Sequence, residues 1–104
     1  MALELELIDF KKDVLDNNII SIVFFHASWC RNCKSLFPVL ENLEEDLYPL
    51  IQVISVDAEK NADFSDQYEI MSLPTCLIFK NGILVEKIIG LNSFEKMKEM
   101  ILNV

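Results

Sequence analysis

The chain has 104 residues, a hydrophobic fraction of 52% and a formal net charge of −8 at pH 7. That length suits one domain spanning residues 1–104, and the hydrophobic content suits a packed globule rather than a disordered segment. The acidic balance argues against binding nucleic acid, which needs clustered Lys and Arg, and a chain of this size can form a core without structural disulfides.

The opening Met1-Ala2-Leu3-Glu4-Leu5-Glu6 carries neither a basic stretch nor a long apolar one, so no signal peptide is expected. Alternation of apolar and acidic residues from Leu3 to Leu7 predicts a half-buried strand. Asp9 suits the cap of a short helix through Leu15, with Asn17-Asn18 as its exit. Ile19 to Phe25 is apolar at every position but Ser21, the pattern of a central strand covered on both faces. This longest apolar run is far short of the ~20 residues a membrane-spanning helix needs, so no membrane association and a cytoplasmic location are expected. In that compartment the three cysteines point to catalysis, metal binding or burial rather than structural bridges.

From Cys33 to Leu47 the pattern becomes helical, with Leu36, Leu40, Leu43 and Leu47 on one core-facing stripe. Pro38 should bend this helix, and Tyr48-Pro49 ends it. Ile51 to Val56 reads as a second buried strand, Asp57 to Asn61 as its exit, and Asp63 to Tyr68 as a short helix. Strands over Thr75–Phe79 and Ile83–Ile89 are joined at Lys80-Asn81-Gly82, where Asn-Gly favours a tight hairpin turn. The last helix is expected to start near Asn92, with Glu95 completing a capping box and Phe94, Met97 and Ile101 facing inward. The order β-α-β-α-β-α-β-β-α predicts an α/β fold. The second and third strands run parallel through a right-handed crossover, and the final hairpin makes a mixed central sheet flanked by helices on both faces.

Cys30-Arg31-Asn32-Cys33, lying between a buried strand and a helix, is the feature that carries chemistry. Disulfide exchange needs an attacking thiolate and a second thiol that resolves the mixed disulfide. Two intervening residues in a helical first turn bring the sulfurs within reach and set Cys30 beside unpaired N–H groups. A helix terminus contributes about 0.3–1 kcal/mol, up to roughly 2 in a partly buried site, against about 1.36 kcal/mol per pKa unit. The dipole alone therefore falls short, and local hydrogen bonds and the charge of Arg31 supply the remainder. Cys30, nearer the helix start and solvent, is the expected nucleophile, and Cys33, one turn in, the resolving thiol. The competing reading of such a pair is half of a zinc site, which would need two more ligands from Cys76, His26 and carboxylates. No second Cys-x-x-Cys exists, and no metal is expected.

Phe25-His26-Ala27-Ser28-Trp29-Cys30-Arg31-Asn32-Cys33-Lys34 resembles the active-site segment of thioredoxins, and the resemblance runs over essentially the whole chain. Pro38 stands at the family's kink proline, and Leu73-Pro74-Thr75 resembles the loop whose proline is cis. Phe79-Lys80-Asn81-Gly82 resembles the hairpin of the last two strands, and Gly90 the glycine that follows them. The resemblance implies a thioredoxin fold whose only redox group is the Cys30–Cys33 disulfide, with no separate cofactor. It also implies a flat apolar surface around Cys30 formed by Trp29, Ser72, Leu73, Pro74, Ile89, Gly90 and Leu91. An extended substrate segment would lie there, paired with the backbone of Leu73 as an added strand. The alternative for Trp29 is simple core packing. The implied partners are protein disulfide substrates and a thioredoxin reductase or equivalent electron donor, and small size with an acidic surface suits a monomer.

Three departures from the family pattern bear on tuning. Arg31-Asn32 replaces the usual Gly-Pro pair, where the two side chains either adjust the thiolate and redox poise or simply point into water. Phe24 occupies the place of a buried aspartate, and Val53 that of its lysine partner, so Cys33 must lose its proton through water or His26. Slower exchange and a more stable domain are the expectation. His26, at a commonly aromatic position, is either a nearby base or cation or a polar cap on a strand end. Cys76 reads as a buried core thiol. The leading function is a thiol–disulfide oxidoreductase that reduces protein disulfides. An oxidase or isomerase would usually carry an exporting signal. A non-catalytic thioredoxin-like binding module remains the reading from a different class, opposed by the intact Cys-x-x-Cys and Leu73-Pro74-Thr75.

Overall fold

In the computed structural model, which describes residues 3–104 (Leu7 by its backbone alone), the chain runs in the order the sequence predicts. Its elements are β1 (Leu3–Glu4), β2 (Ile20–His26), α1 (Arg31–Asp46), β3 (Ile51–Asp57), α2 (Ala62–Gln67), β4 (Thr75–Lys80), β5 (Ile83–Ile89) and α3 (Phe94–Leu102). The strands form one sheet in the order β1-β3-β2-β4-β5. β3 runs parallel to both β1 and β2, while β4 is antiparallel to β2 and β5.

Continuous apolar runs in the central strands follow from burial on both faces. Ile22 and Phe24 of β2, Ile51 and Val53 of β3, and Cys76 and Ile78 of β4 face one layer, filled by Leu36, Leu40 and Leu43 of α1 with Met97 and Ile101 of α3. The alternate residues Val23, Phe25, Ile54, Val56, Leu77 and Phe79 face the other layer, where Val14, Phe10, Phe64 and Tyr68 pack. Ser21, the polar interruption in β2, is fully buried and bonded, its Oγ accepting from Gln52 Nε2 at 2.8 Å. Glu44 of α1 is buried, and its Oε2 accepts the backbone N–H of Val53 at 2.9 Å, tying helix to sheet.

The N-terminal segment departs from expectation. The strand ends at Glu4, and Leu5–Leu7 forms a 3-10 turn that brings Leu5 and Ile8 against the second layer. The following helix spans Lys11–Leu15 with π-type bonding, the Asp16 N–H reaching the Lys11 carbonyl. Asp9 does serve at its start, Oδ1 accepting the Lys12 N–H at 3.2 Å. The cap of α3 is Ser93, not Asn92: its Oγ accepts from the Lys96 N–H at 3.2 Å. Lys96 thus takes the third helical position, where a capping box needs an acid, and Glu95 falls one residue short. Asn81 and Gly82 both take positive φ in the β4–β5 turn, and a Cβ on Gly82 would run into the Leu15 carbonyl. Pro38 lies exposed inside α1.

Candidate active site

The pairing register gathers three loops at one end of the sheet. Phe25, next to the end of β2, opposes Thr75, the first residue of β4, and Thr75 in turn opposes Ile89, the last of β5. The segment leading to Cys30, the Leu73-Pro74 loop and Ile89-Gly90 therefore emerge together. The Leu73–Pro74 peptide is cis. Thr75 Oγ1 donates to the Ser72 carbonyl at 2.7 Å, and the Gly90 N–H donates to the Pro74 carbonyl at 2.9 Å, fixing the loop to the end of β5. Gly90 takes positive φ with open space around it, so its backbone conformation alone explains the glycine.

Cys30 is the N-cap of α1, in extended conformation, with its N–H on the Ala27 carbonyl at 3.1 Å. Its sulfur accepts the Cys33 N–H at 3.2 Å, the hydrogen bond by which a cap satisfies an orphan donor of the first turn. The two cysteines form a disulfide with Cα atoms 5.3 Å apart, inside the usual range for such bonds. Spacing and helix geometry thus place a sulfur where backbone N–H groups and the helix dipole favour negative charge. Both cysteines are buried, Cys30 at 6% and Cys33 at 3% exposure, so the expected difference in solvent access is slight. The Cys30 sulfur is turned inward, onto Cys33 and its N–H.

Around this pair the surface is apolar and open. Trp29 is 67% exposed, which removes it from the core, and Ile89 and Leu91 are exposed as well. Ser72 is exposed, Leu73 and Gly90 are half-buried and Pro74 is buried. Arg31 and Asn32 face solvent. Sequence reading missed Met71, 91% exposed immediately before Ser72; a bulky apolar residue in a loop leading into Leu73-Pro74 is the signal that could have found it.

Phe24 and His26 follow one another on the α1 face of β2. Phe24 lies beneath α1, stacked on Phe37 with centroids 6.1 Å apart, and the His26 ring lies 5.2 Å from it. His26 Nε2 and Ser55 Oγ are 2.7 Å apart. Both line a cleft of about 390 Å³ with Phe24, Ala27, Ser28, Cys33, Lys34 and Phe37. Ser55 also escaped sequence reading, although a hydroxyl at a helix-facing position between Ile54 and Val56 was its mark. Cys76 is fully buried, and burial pushes its thiol up to about 12. Among the described residues no group of three or more His, Cys, Asp and Glu is gathered to hold a metal ion, and no helix is long and apolar enough to cross a membrane.

A family model described as Thioredoxin matches residues 2–103. The chain belongs to the thioredoxin family. The thioredoxin of Staphylococcus aureus is 35% identical over 82 residues, 79% of each chain. That of Staphylococcus saprophyticus is 36% identical over 89 residues, 83% of this chain and 86% of its own. Among solved structures, a mutant thioredoxin from Halobacterium salinarum NRC-1 superposes with a TM-score of 0.87 at 28% identity, covering 98% of this chain and 88% of that one. A chain from a structure on the thiol resolving mechanism of a yeast mitochondrial 1-Cys peroxiredoxin via glutathione/thioredoxin systems gives 0.86 at 25% identity, covering 99% and 95%. The fold is the thioredoxin fold, a mixed five-stranded sheet flanked by helices. With the Cys30–Cys33 disulfide at the start of α1, the chain carries the thiol–disulfide oxidoreductase centre of this family.

Proposed function

We propose that this thioredoxin-family protein reduces disulfides of other proteins through a dithiol–disulfide cycle at Cys30 and Cys33. The observation that supports it most is the Cys30 sulfur seated as the N-cap of α1 on the Cys33 N–H, within an exposed apolar rim that includes Trp29 and Ile89. The Cys30 thiolate attacks one sulfur of the substrate disulfide and releases the other as a thiolate, leaving a mixed disulfide. Cys33 then attacks Cys30, the second substrate cysteine leaves as a thiolate, and two electrons have passed to the substrate as Cys30–Cys33 closes. A thioredoxin reductase or equivalent dithiol donor reopens the bond.

Substrate segments dock along Trp29, Ser72, Leu73, Pro74, Ile89, Gly90 and Leu91, extended against the Leu73 backbone. Arg31 and Asn32, both solvent-facing, and Phe24 and His26, beneath the helix, tune the pair. The protein acts as a single domain and a monomer in the cytoplasm, without nucleic acid, membrane or metal partners. The test is turnover of insulin disulfides with a thioredoxin reductase as donor. Wild type is expected to turn over, Cys30→Ser to be inactive, and Cys33→Ser to accumulate a mixed disulfide. Turnover that survives Cys30→Ser overturns the reading. A measured potential of the 30–33 pair separates reductase from oxidase or isomerase, about 30 mV corresponding to 1.4 kcal/mol.

A further inference from the structure

The second half of the cycle needs Cys33 to lose a proton, and Phe24, directly under α1, has no atom that can take one. The cleft that Cys33 lines contains two serine hydroxyls, the Lys34 ammonium and one imidazole, that of His26. Only the imidazole is a proton acceptor of suitable strength near neutrality. Its Nε2 is held by Ser55 Oγ at 2.7 Å, so ring and hydroxyl form one unit fixed between β2 and β3.

His26 and Ser55 also line a second cleft, of about 340 Å³, together with Glu4, Glu6, Asp57 and Lys60. The pair therefore stands as a partition, with the Cys33 cleft on one side and a largely acidic, solvent-facing cleft on the other. The charged groups facing it are Lys34 from α1, Asp57 from β3, Lys60 from the loop after β3, Glu4 from β1 and Glu6 from the turn that follows. Three carboxylates outweigh two ammonium groups. Glu6, held below the usual carboxylate range chiefly by the Asn61 amide, stays ionised.

We propose that His26 is the proton relay for Cys33, positioned by Ser55, and that it delivers the proton to the acidic cleft on its far side. The inference deepens the exchange reading and rests on it. In the step, Cys33 gives its proton to His26 across the cleft and its sulfur bonds to Cys30. The Cys30–substrate bond breaks, and the substrate cysteine leaves as a thiolate that solvent protonates. His26 then releases its proton to solvent through the acidic cleft. The sequence departs here from a buried carboxylate by moving the acceptor one strand position pair further along the same face.

The test is single-turnover reaction of the reduced protein with a chromogenic aromatic disulfide. The first release of chromophore reports attack by Cys30 and the second reports resolution by Cys33. In wild type the second phase is expected to depend on pH. His26→Gln should slow that phase about tenfold or more at pH 7 and flatten its pH profile, leaving the first phase within twofold. Ser55→Ala should slow the second phase several-fold, and Ser55→Thr should restore it. A second phase with the wild-type pH profile in His26→Gln overturns the relay, as does equal slowing of both phases. Absence of any Cys30-dependent release overturns the exchange reading instead.

Discussion

The two faces of the sheet are built from the same strands yet do different work. On the α2 side, Phe25 stacks on Phe64, and Phe10, Tyr68 and Phe79 close an aromatic layer around them. On the α1 side the aromatic residues stop short: Phe24 and Phe37 border a cleft that Cys33 lines. One face only holds the molecule together, while the other combines packing with a cleft beside the Cys30–Cys33 disulfide.

Substitutions at adjacent residues sharpen this contrast. Phe25→Ala should cost about 3–5 kcal/mol, the usual result of emptying a fully buried aromatic site, read as a lower urea midpoint. The exchange rate of the folded fraction should not change. Phe24→Asp should cost about 2–4 kcal/mol through lost packing and a buried carboxyl, and should speed resolution at Cys33. Unchanged urea unfolding of this variant, or an effect of Phe25→Ala on exchange, breaks the comparison.

Cys76 shares the α1 face with the reactive pair but is sealed within it. Its thiol, at about 12 when folded against an ordinary value of 9.0, keeps its proton longer in the folded state. Its stabilising contribution is full below pH 9 and declines as pH rises toward 12. Wild type should therefore lose about 1.4 kcal/mol more than Cys76→Ala between pH 7 and pH 10. Parallel stability profiles of the two proteins refute this. Alkylation of the reduced, folded protein at pH 8 should mark Cys30 and leave Cys76 untouched. The smallest effect concerns α3, which covers the same face: Ser93→Ala should cost about 1 kcal/mol in urea unfolding, and Asn92→Ala much less.

The central strands were legible because burial on both sides leaves an uninterrupted apolar run, as in Ile22 to Phe25. Leu3 to Leu7 was not, since alternation over five residues also fits a 3-10 turn that drops Leu5 and Ile8 onto the sheet. Asn92 and Ser93 are both good caps, and only the local backbone chooses between them. Cys30 and Cys33 could be read from their spacing within one turn. The Ser55 partner of His26 could not, because it arrives from another strand 29 residues away, through a parallel register that local pattern does not encode.

The sulfur proposed to enter into exchange is also the group that secures the first turn of α1. Each time Cys30 changes from disulfide to thiolate to mixed disulfide, the acceptor facing the Cys33 amide changes in charge and strength. The rate at which that amide trades its proton for deuterium is thus an internal gauge of redox state, legible without any added reporter.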